Sequence, residues 1–473
     1  MSAKFARISL VILMVTHFCL AAWFAMITPY RTGGILQTQG DGKGGRQHVS
    51  DVGAPDERQH ANYIRHLLTK NSLPILKPGS PDLGEEYQSH QPPLYYSVAK
   101  IVAEATGKTD VETSEFGRTI RLLNCFIGTI GVAGVFFAGL WGSKREEIGT
   151  LAASVASLLP MNVALSGAIS NDPLLFTFMS WSVAFLLKAW TTTDDPDQAT
   201  SALQKCAFLV GFALCTKTSA LIVLIPHILV ALWFLLNSVG LPTDTPRQMT
   251  LRKVHVAFLA ILPILLVVRF WLRNQNLYGD PLAQKVFREA FPGSAQKSLM
   301  ISIIEAGPGA GSSEVQYWIN WIGYWTARSF IGVFGYMDIW FNESGNPYGK
   351  SPDLLYKAII LFNFLGLGGG VLWLRKNWNE NKRLGAITLG LIGLTLALFV
   401  MFNNTYFQAQ ARYLFPALSA FATLMAIGWV HVFRKWQIAL ALVVIIFGGF
   451  TVYAGTQLPG EFAKRIQTES PSP

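Results

Sequence analysis

Two polar stretches carry the side chains best suited to chemistry. They are residues 55–60 (PDERQH) and residues 87–95 (YQSHQPPLY), and both follow the first strongly apolar run of the chain. Asp56 and Glu57 come directly after Pro55, and both a proline and acidic side chains are favoured at the start of a helix. A carboxylate held near a hydroxyl can act as a general base. The same pattern also suits two surface charges at a helix start, so both interpretations stay open.

Histidines accompany these carboxylates. Glu57 and His60 are three residues apart, so they share one face of a helix. His90 is followed by Gln91 and then by two prolines, which stiffen the chain. Imidazole and carboxylate groups bind divalent metal ions, which makes His90, together with Glu57, a candidate metal pair. The alternative is an exposed loop histidine without a ligand.

Further ionisable groups lie where apolar runs begin or end. Asp172 stands between Asn171 and Pro173, where a carboxylate either caps a helix or serves a site at the membrane surface. Lys217, Arg273 and Arg412 lie beside predicted spans. Such cations either anchor helices at the interface or stabilise a phosphate leaving group.

The composition indicates that a membrane protein positions these groups. Of the 473 residues, 51% are hydrophobic and only 14% are charged, whereas soluble domains carry about 25% charged residues. The net charge of +10 fits Lys and Arg concentrated in cytoplasmic loops, and no nucleic-acid motif accompanies it, so we expect no nucleic-acid partner. The four cysteines lie in apolar runs, which predicts buried side chains and no disulfide framework.

Apolar runs of membrane-spanning length predict an all-α polytopic protein with about eleven transmembrane helices. The first run, with Lys4 and Arg7 before it, predicts a retained helix with a cytoplasmic N-terminus. The predicted spans cover residues 8–27, 120–142, 148–168, 173–190, 207–219, 220–236, 254–272, 354–374, 384–401, 414–432 and 438–454.

Counting spans from a cytoplasmic N-terminus places the basic loops inside and the candidate site residues on the outer face. Two large outer loops result, at residues 29–117 and 273–353. In the first, residues 31–53 are rich in Gly and Gln and predict a flexible loop, and two helices, beginning near Asp56 and covering 94–105, are predicted at the membrane interface. Residues 1–454 thus form one module, followed by a short polar C-terminal tail at 455–473.

The first outer loop resembles that of C-class (GT-C) glycosyltransferases. The resemblance rests on Pro-Asp-Glu at 55–57, a helix ending near Leu73-Pro74, and Tyr-x-x-x-x-Pro-Pro-Leu-Tyr at 87–95. It is similar to glycosyltransferase family 39, which contains the protein O-mannosyltransferases and the aminoarabinose transferases of lipid A. The weaker similarities cover most of the chain up to about Gly428, at residues 118–124, 171–172, 211–217, 273–281 and 411–416.

The resemblance implies a fold, a reaction and a set of roles. The fold is a GT-C-type bundle, and the reaction transfers a sugar from a polyprenyl-phosphate donor to an acceptor hydroxyl on the outer face. Asp56 corresponds to the base and Asp172 to a second carboxylate, with Asp51 as the alternative base because the insert at 31–53 displaces the family's aspartate. Direct attack on the anomeric carbon inverts its configuration. The remaining implied roles are donor-phosphate binding by Arg58, Lys217, Arg273 and Arg412, support by Glu57, His60, Gln91 and Tyr95, and a divalent metal at His90.

The sequence leaves the partners and two other functions open. The acceptor is a lipid, a glycan or a protein, with membrane lipids around the bundle, and the expected location is a bacterial inner membrane with the site on the periplasmic face. One alternative function is a transporter or a flippase for the lipid carrier, which calls for ionisable groups deep in several spans. The other is a catalytically silent relative that serves as a partner protein.

Overall fold

Helices make up most of the part of the chain that the structure describes. The computed structural model describes residues 1–37, 46–237, 244–292, 296–306, 313–341 and 354–467. The helices up to residue 214 are α1 (Ala3–Ile27), α2 (Glu57–Lys70), α3 (Leu83–Glu86), α4 (Leu94–Thr106), α5 (Ser114–Ser143), α6 (Glu146–Leu158), α7 (Pro160–Ser166), α8 (Asp172–Thr191) and α9 (Pro196–Leu214). The later helices are α10 (Leu221–Leu236), α11 (Pro246–Tyr278), α12 (Gln284–Ala290), α13 (Lys297–Ala306), α14 (Ser313–Gln316), α15 (Tyr324–Ile331), α16 (Leu354–Lys376), α17 (Trp378–Asn403), α18 (Leu418–Phe433), α19 (Trp436–Val443) and α20 (Gly449–Gln467).

Among the described residues, nine helices are long and apolar enough to cross a membrane, or ten if the bent pair α6 and α7 is one span. The pair bends by 62° because Pro160 has no backbone N–H and holds Leu159 in an extended conformation. The predicted fold class is confirmed, with nine or ten spans in place of about eleven. Of the predicted spans, residues 207–219 have no counterpart among these nine or ten; they lie mostly in α9, which is not one of the helices counted.

The first large loop contains more structure than its Gly-rich composition predicts. Strands β1 (Gly34–Gln37) and β2 (Arg46–Val49) pair antiparallel, so the prediction of a flexible loop over 31–53 is wrong for these residues; residues 38–45 lie outside the described part. Both predicted helices are present as α2 and α4. They pack through a stacked pair of tyrosines, Tyr63 and Tyr96, whose ring centroids are 3.7 Å apart.

The C-terminal segment differs from the predicted polar tail over residues 455–467. Helix α20 continues to Gln467, and its Leu458 and Phe462 are buried in a cluster with Phe24 and Val52. These apolar side chains are four residues apart and therefore line one face of the helix. The pattern has too few members to be recognised among the surrounding polar residues. Residues 468–473 lie outside the described part, as do residues 342–353 of the second large loop.

Helices α16 and α18 approach each other closely at glycines. A Cβ at Gly428 would lie 1.7 Å from the carbonyl oxygen of Gly366 and 2.4 Å from the backbone nitrogen of Gly370. Beside this contact, the indole of the buried Trp429 donates a hydrogen bond of 2.9 Å to the Phe362 carbonyl. Small residues let helix backbones pack at this distance in membranes.

Candidate active site

Asp56 is held at the start of α2 in a conformation that only a few non-glycine residues adopt. Its φ of 61° lies in the left-handed region, which costs about 1–2 kcal/mol for an L-residue. One carboxylate oxygen accepts a hydrogen bond from Arg412 Nη2 at 2.7 Å, and the other accepts one from the Tyr87 hydroxyl. Backbone strain that is held by such contacts is concentrated at functional sites.

Asp172 forms the second ion pair, 2.5 Å from Lys217 Nζ. Asp172 lies in the first turn of α8, and Lys217 lies in the turn between α9 and α10. The side chain of Asn171 donates a hydrogen bond of 3.2 Å to the Thr216 carbonyl, which ties the two turns together. The short loops at the ends of these helices therefore bring the pair into contact.

His60 lies near both ion pairs. Burial lowers the pKa of His60 to about 3, and the charges of Asp56, Lys217, Asp172 and Arg412 all act on its ring as well. Its Nδ1 is in a hydrogen bond of 2.8 Å with the Tyr96 hydroxyl. We call these five residues, Asp56, His60, Asp172, Lys217 and Arg412, the polar cluster; it gathers two carboxylates, two cations and a neutral imidazole.

The electrostatics keep Asp56 ionised. Burial acts to raise the pKa of Asp56, but the guanidinium of Arg412 and the hydrogen bond from Tyr87 outweigh it and lower the pKa to about 2. Burial likewise acts to lower the pKa of Arg412, and the nearby carboxylates, Asp56 foremost, raise it well above its ordinary value. Both members of the pair are therefore charged near neutral pH.

Two buried polar atoms in and beside the polar cluster remain open to a ligand. Arg412 Nε and Asn171 Oδ1 have no hydrogen-bond partner within the part of the chain that the structure describes. Buried polar atoms usually have a partner, and a water molecule or a polar ligand next to the cluster would supply one.

Glu57 lies next to Asp56 in sequence but has a different environment. Its two oxygens accept hydrogen bonds from Arg121 Nε at 2.7 Å and Nη2 at 2.5 Å, and one of them also accepts the Ile169 backbone N–H at 2.8 Å. Arg121 donates its other hydrogen bonds to the carbonyls of Ala25, Thr28 and Pro29. Glu57 and Arg121 together therefore join the start of α2 to α5, to the end of α1 and to the backbone before α8.

The predicted metal pair of His90 and Glu57 does not fit a metal ion. His90 Nδ1 donates to the Tyr87 carbonyl at 2.8 Å, and its Nε2 accepts from the Gln91 side chain at 3.1 Å, so both ring nitrogens are engaged. Both Glu57 oxygens are taken by Arg121. Within the described ranges, moreover, no group of three or more His, Cys, Asp and Glu side chains is arranged to hold a metal.

Gln91 and Tyr95 contact the residues around the polar cluster. The Gln91 side-chain oxygen accepts a hydrogen bond of 3.4 Å from Asn171. The Tyr95 hydroxyl, which is fully buried, accepts one of 3.1 Å from Asn124. Asn124 in turn donates to the carbonyls of Ala168 and Ser170, so Gln91 contacts the hairpin that carries Asp172 directly and Tyr95 contacts it through Asn124.

Two of the predicted phosphate-binding cations have their contacts elsewhere. Arg58 pairs with Asp51 at 2.5 Å and donates to the Ser50 carbonyl, so the alternative base and one predicted phosphate ligand bind each other. Arg273 donates to the Pro74 carbonyl at 2.6 Å. The structure brings Lys217 and Arg412 into the polar cluster, whereas the contacts of Arg58 and Arg273 hold loops.

Two tyrosines near the polar cluster were not among the predicted site residues. Tyr87 donates to Asp56, although its place in the 87–95 motif was a signal for it. Tyr336 lies near enough for Asp56 to affect it: burial raises the pKa of Tyr336 to about 12, and the charge of Asp56 adds to the increase. Nothing in local spacing marks Tyr336, since 280 residues separate it from Asp56.

The comparisons with known proteins agree with this architecture. Residues 103–278 match the family described as dolichyl-phosphate-mannose-protein mannosyltransferase; the match includes Asp172, Lys217 and Arg273 but not Asp56 or Arg412. Comparison with curated protein sequences gives no match.

Two solved structures share the fold. The oligosaccharyltransferase of Archaeoglobus fulgidus superposes with a TM-score of 0.52 at 12% identity, over 96% of this chain and 55% of its own. ArnT from Cupriavidus metallidurans, solved bound to undecaprenyl phosphate, superposes with a TM-score of 0.51 at 14% identity, over 99% of this chain and 71% of its own. The chain thus spans about half the length of the archaeal protein. It has the GT-C fold of polytopic membrane glycosyltransferases, and the resemblance to family 39 is confirmed.

Proposed function

We propose that the protein is a glycosyltransferase that moves a sugar from a polyprenyl-phosphate donor to an acceptor hydroxyl. The observation that carries the proposal is the polar cluster, in which the ion pairs Asp56–Arg412 and Asp172–Lys217 both lie near enough to His60 for their charges to act on it. Two cations beside two carboxylates suit a reaction in which a phosphate leaves while a hydroxyl is deprotonated. The fold shared with ArnT, which binds undecaprenyl phosphate, supports a lipid-linked donor.

In the proposed reaction Asp56 is the base. The acceptor oxygen forms a bond to the anomeric carbon of the sugar, its proton passes to Asp56, and the bond from that carbon to the phosphate oxygen breaks. Polyprenyl phosphate leaves with the electron pair, next to Arg412 and Lys217. This single displacement inverts the anomeric configuration.

The low pKa of Asp56 applies to the protein when no donor is bound. While Arg412 faces Asp56 alone, the carboxylate is a weak base. A donor phosphate beside Arg412 would share its positive charge, which raises the pKa of Asp56 and makes proton abstraction easier. Arg412 Nε, which has no partner within the described part of the chain, is available for such a phosphate.

The roles of the other residues follow from their contacts. Asp172 holds Lys217 in place, and Tyr87 orients the Asp56 carboxylate. Glu57, Gln91 and Tyr95 position the backbone segments around the cluster. Arg58 and Arg273 serve the loops on which donor and acceptor would approach. We place the site on the outer, periplasmic face of a bacterial inner membrane, with a lipid, glycan or protein as acceptor.

The test is label transfer by purified protein. Radiolabelled polyprenyl-phosphate sugars and crude envelope acceptors would be supplied to the wild type, Asp56→Asn and Asp51→Asn, with and without chelator. We expect the wild type and Asp51→Asn to transfer label, and Asp56→Asn to lose at least about 10²-fold in rate, the usual contribution of a general base.

The matched variant Asp51→Asn shows which of the two aspartates is the base. Asp51 is five residues from Asp56 but is paired with Arg58, so loss in Asp51→Asn with full activity in Asp56→Asn would transfer the role of base to Asp51. No transfer from any donor, with the carrier lipid still bound, would favour a silent partner protein or a flippase. A chelator-sensitive rate would point to a metal held by residues other than the pair His90 and Glu57.

A further inference from the structure

A second ligand site lies at the opposite end of the bundle from the polar cluster. A cavity of about 680 Å³ opens between α16 and α18, and Arg145 and Arg434 are in its wall. Arg121, which is bonded to Glu57 near the polar cluster, is in the third turn of the 30-residue helix α5, whereas Arg145 lies just past the end of that helix, after Lys144. At 1.5 Å per residue, Arg121 and Arg145 are roughly 36 Å apart.

The basic wall comes from two helix corners of the same local structure. After α5, Lys144 has a left-handed backbone (φ 57°) and Arg145 is extended; after α18, Arg434 is left-handed (φ 60°) and Lys435 is extended. Each corner joins two helices with two basic residues. Glu147 neutralises part of this charge through its ion pair of 2.8 Å with Arg145, while Arg434 is exposed.

The apolar part of the cavity results from the glycine packing of α16 against α18. Gly366 and Gly370 face Gly428 at close range, while a Cβ at Gly368 would meet nothing within 4 Å. Gly368 lines the cavity together with Phe364, Leu372 and Val430. Phe364 is 64% exposed and Leu372 60% exposed, so this wall continues into the face that α16 presents to lipid. A single lipid molecule could therefore touch both the apolar wall and the basic corners.

We propose that this cavity is a binding site for an anionic glycerophospholipid of the surrounding bilayer. Its acyl chain lies along Gly368, Phe364 and Leu372, and its phosphate lies between Arg145 and Arg434, with His431 as an additional hydrogen-bond donor in the wall. Basic pockets between transmembrane helices on the cytoplasmic side recognise anionic lipid headgroups in this manner. The proposal is independent of the proposed transferase activity.

The test counts bound lipids on the full-length protein by native mass spectrometry. Phosphatidylglycerol and phosphatidylcholine with identical acyl chains would be offered in equal amounts to the wild type, Arg434→Gln and Gly368→Leu. We expect the wild type to prefer phosphatidylglycerol, Arg434→Gln to lose about fivefold in its affinity for that lipid, as expected for one basic residue near the surface, and Gly368→Leu to lose affinity for both lipids.

Matched controls separate the site from general membrane electrostatics. Lys253→Gln removes an exposed cation from another predicted cytoplasmic segment, and Gly390→Leu adds a side chain at a glycine of α17 that also meets nothing within 4 Å; both should bind lipid as the wild type does. Equal retention of the two lipids by the wild type, or equal losses in test and control variants at equal thermal stability, would overturn the proposal. Displacement of the lipid by inorganic phosphate, with Gly368→Leu unaffected, would overturn it also, because then no acyl chain is bound.

Discussion

Asp51 and Asp56 are five residues apart. One has the higher pKa that a base needs, and the other has the position in the polar cluster. Burial raises the pKa of Asp51, although Arg58 opposes the increase, so Asp51 is the more basic carboxylate. Asp56 has the lower pKa but contacts Arg412 and Tyr87 and influences His60. Because a base must reach the proton it abstracts before its pKa matters, the position of Asp56 in the polar cluster favours it.

Arg412 and Arg58 provide a residue-scale prediction about donor binding. Arg412→Gln should weaken polyprenyl-phosphate binding about 10- to 100-fold, because a charge-assisted hydrogen bond contributes about 1.5–3 kcal/mol. Arg58→Gln, which removes a cation whose contacts are to Asp51 and Ser50, should change the dissociation constant less than about threefold. Equilibrium binding of labelled polyprenyl phosphate measures both; equal losses in the two variants would contradict the assignment.

The buried histidine in the polar cluster predicts a pH dependence of stability. The folded pKa of His60 is lowered to about 3, whereas the unfolded value is about 6.5, so below the unfolded value the unfolded chain binds a proton that the folded protein does not. Acidification from about pH 7 to about pH 5 should therefore lower the free energy of unfolding by about 2 kcal/mol through this residue.

His60→Gln should remove this contribution, as judged from unfolding in detergent at the two pH values. His66→Gln on the same helix is the control, because burial lowers the pKa of His66 as well but that side chain is only partly buried. The pH-dependent difference, and not the stability at one pH, is the quantity to compare, since losing the hydrogen bond to Tyr96 also destabilises the variant. An unchanged pH dependence in His60→Gln would show that the imidazole is not buried as described.

At the scale of elements, one ion pair joins the start of α2 to three other segments. Arg121 of α5 binds Glu57 and the last carbonyls of α1, and Glu57 binds the backbone before Asp172. The two side chains are only 2% and 5% exposed. The position of Asp56 therefore depends on a contact that its neighbour makes.

Breaking this pair from one side should strongly destabilise the protein. Glu57→Gln leaves the Arg121 charge buried without its partner, which should cost about 3–5 kcal/mol in the free energy of unfolding. The double variant Glu57→Gln with Arg121→Gln should lose less than the sum of the single losses, because the two residues are coupled. Denaturant unfolding of the purified protein measures these values.

An exposed glutamate, Glu112, provides a control for the buried pair Glu57–Arg121. Glu112 bonds Arg31 and Arg65 but is 54% exposed, so Glu112→Gln should cost less than about 1 kcal/mol. Equal effects of Glu57→Gln and Glu112→Gln would contradict the structural role of the buried pair.

For the molecule as a whole, the close packing of α16 on α18 predicts sensitivity to a single methyl group. Gly428→Ala would place its Cβ 1.7 Å from the Gly366 carbonyl oxygen, so the helices must separate. We expect a cost of about 1–3 kcal/mol, as for other overpacked interiors, seen as a lower thermal midpoint in detergent. Gly390→Ala, where a Cβ meets nothing within 4 Å, should leave the midpoint within a degree or two of wild type, or roughly 0.5 kcal/mol; an equal loss there would contradict the packing argument.

Much of this architecture follows from the sequence, because its causes are local or cumulative. Apolar runs of membrane length predict most of the spans, and Asp56-Glu57 and Pro93-Leu94 predict where α2 and α4 begin, since helix starts depend on a few consecutive residues. The residue types of the 55–60 and 87–95 motifs are enough to suggest the family. Residues that could do chemistry are likewise visible as ionisable groups at the ends of apolar runs.

Only the tertiary structure decided which of these groups meet. Asp56 and Arg412 are 356 residues apart and Asp172 and Lys217 are 45 apart, so neither ion pair has a signature in local spacing. The same packing commits Glu57 to Arg121 instead of to a metal with His90, and it buries one face of α20 where the sequence predicts a polar tail. Helix formation depends on neighbours within about four residues, whereas the choice of partner for a buried charge depends on how helices distant in sequence pack together.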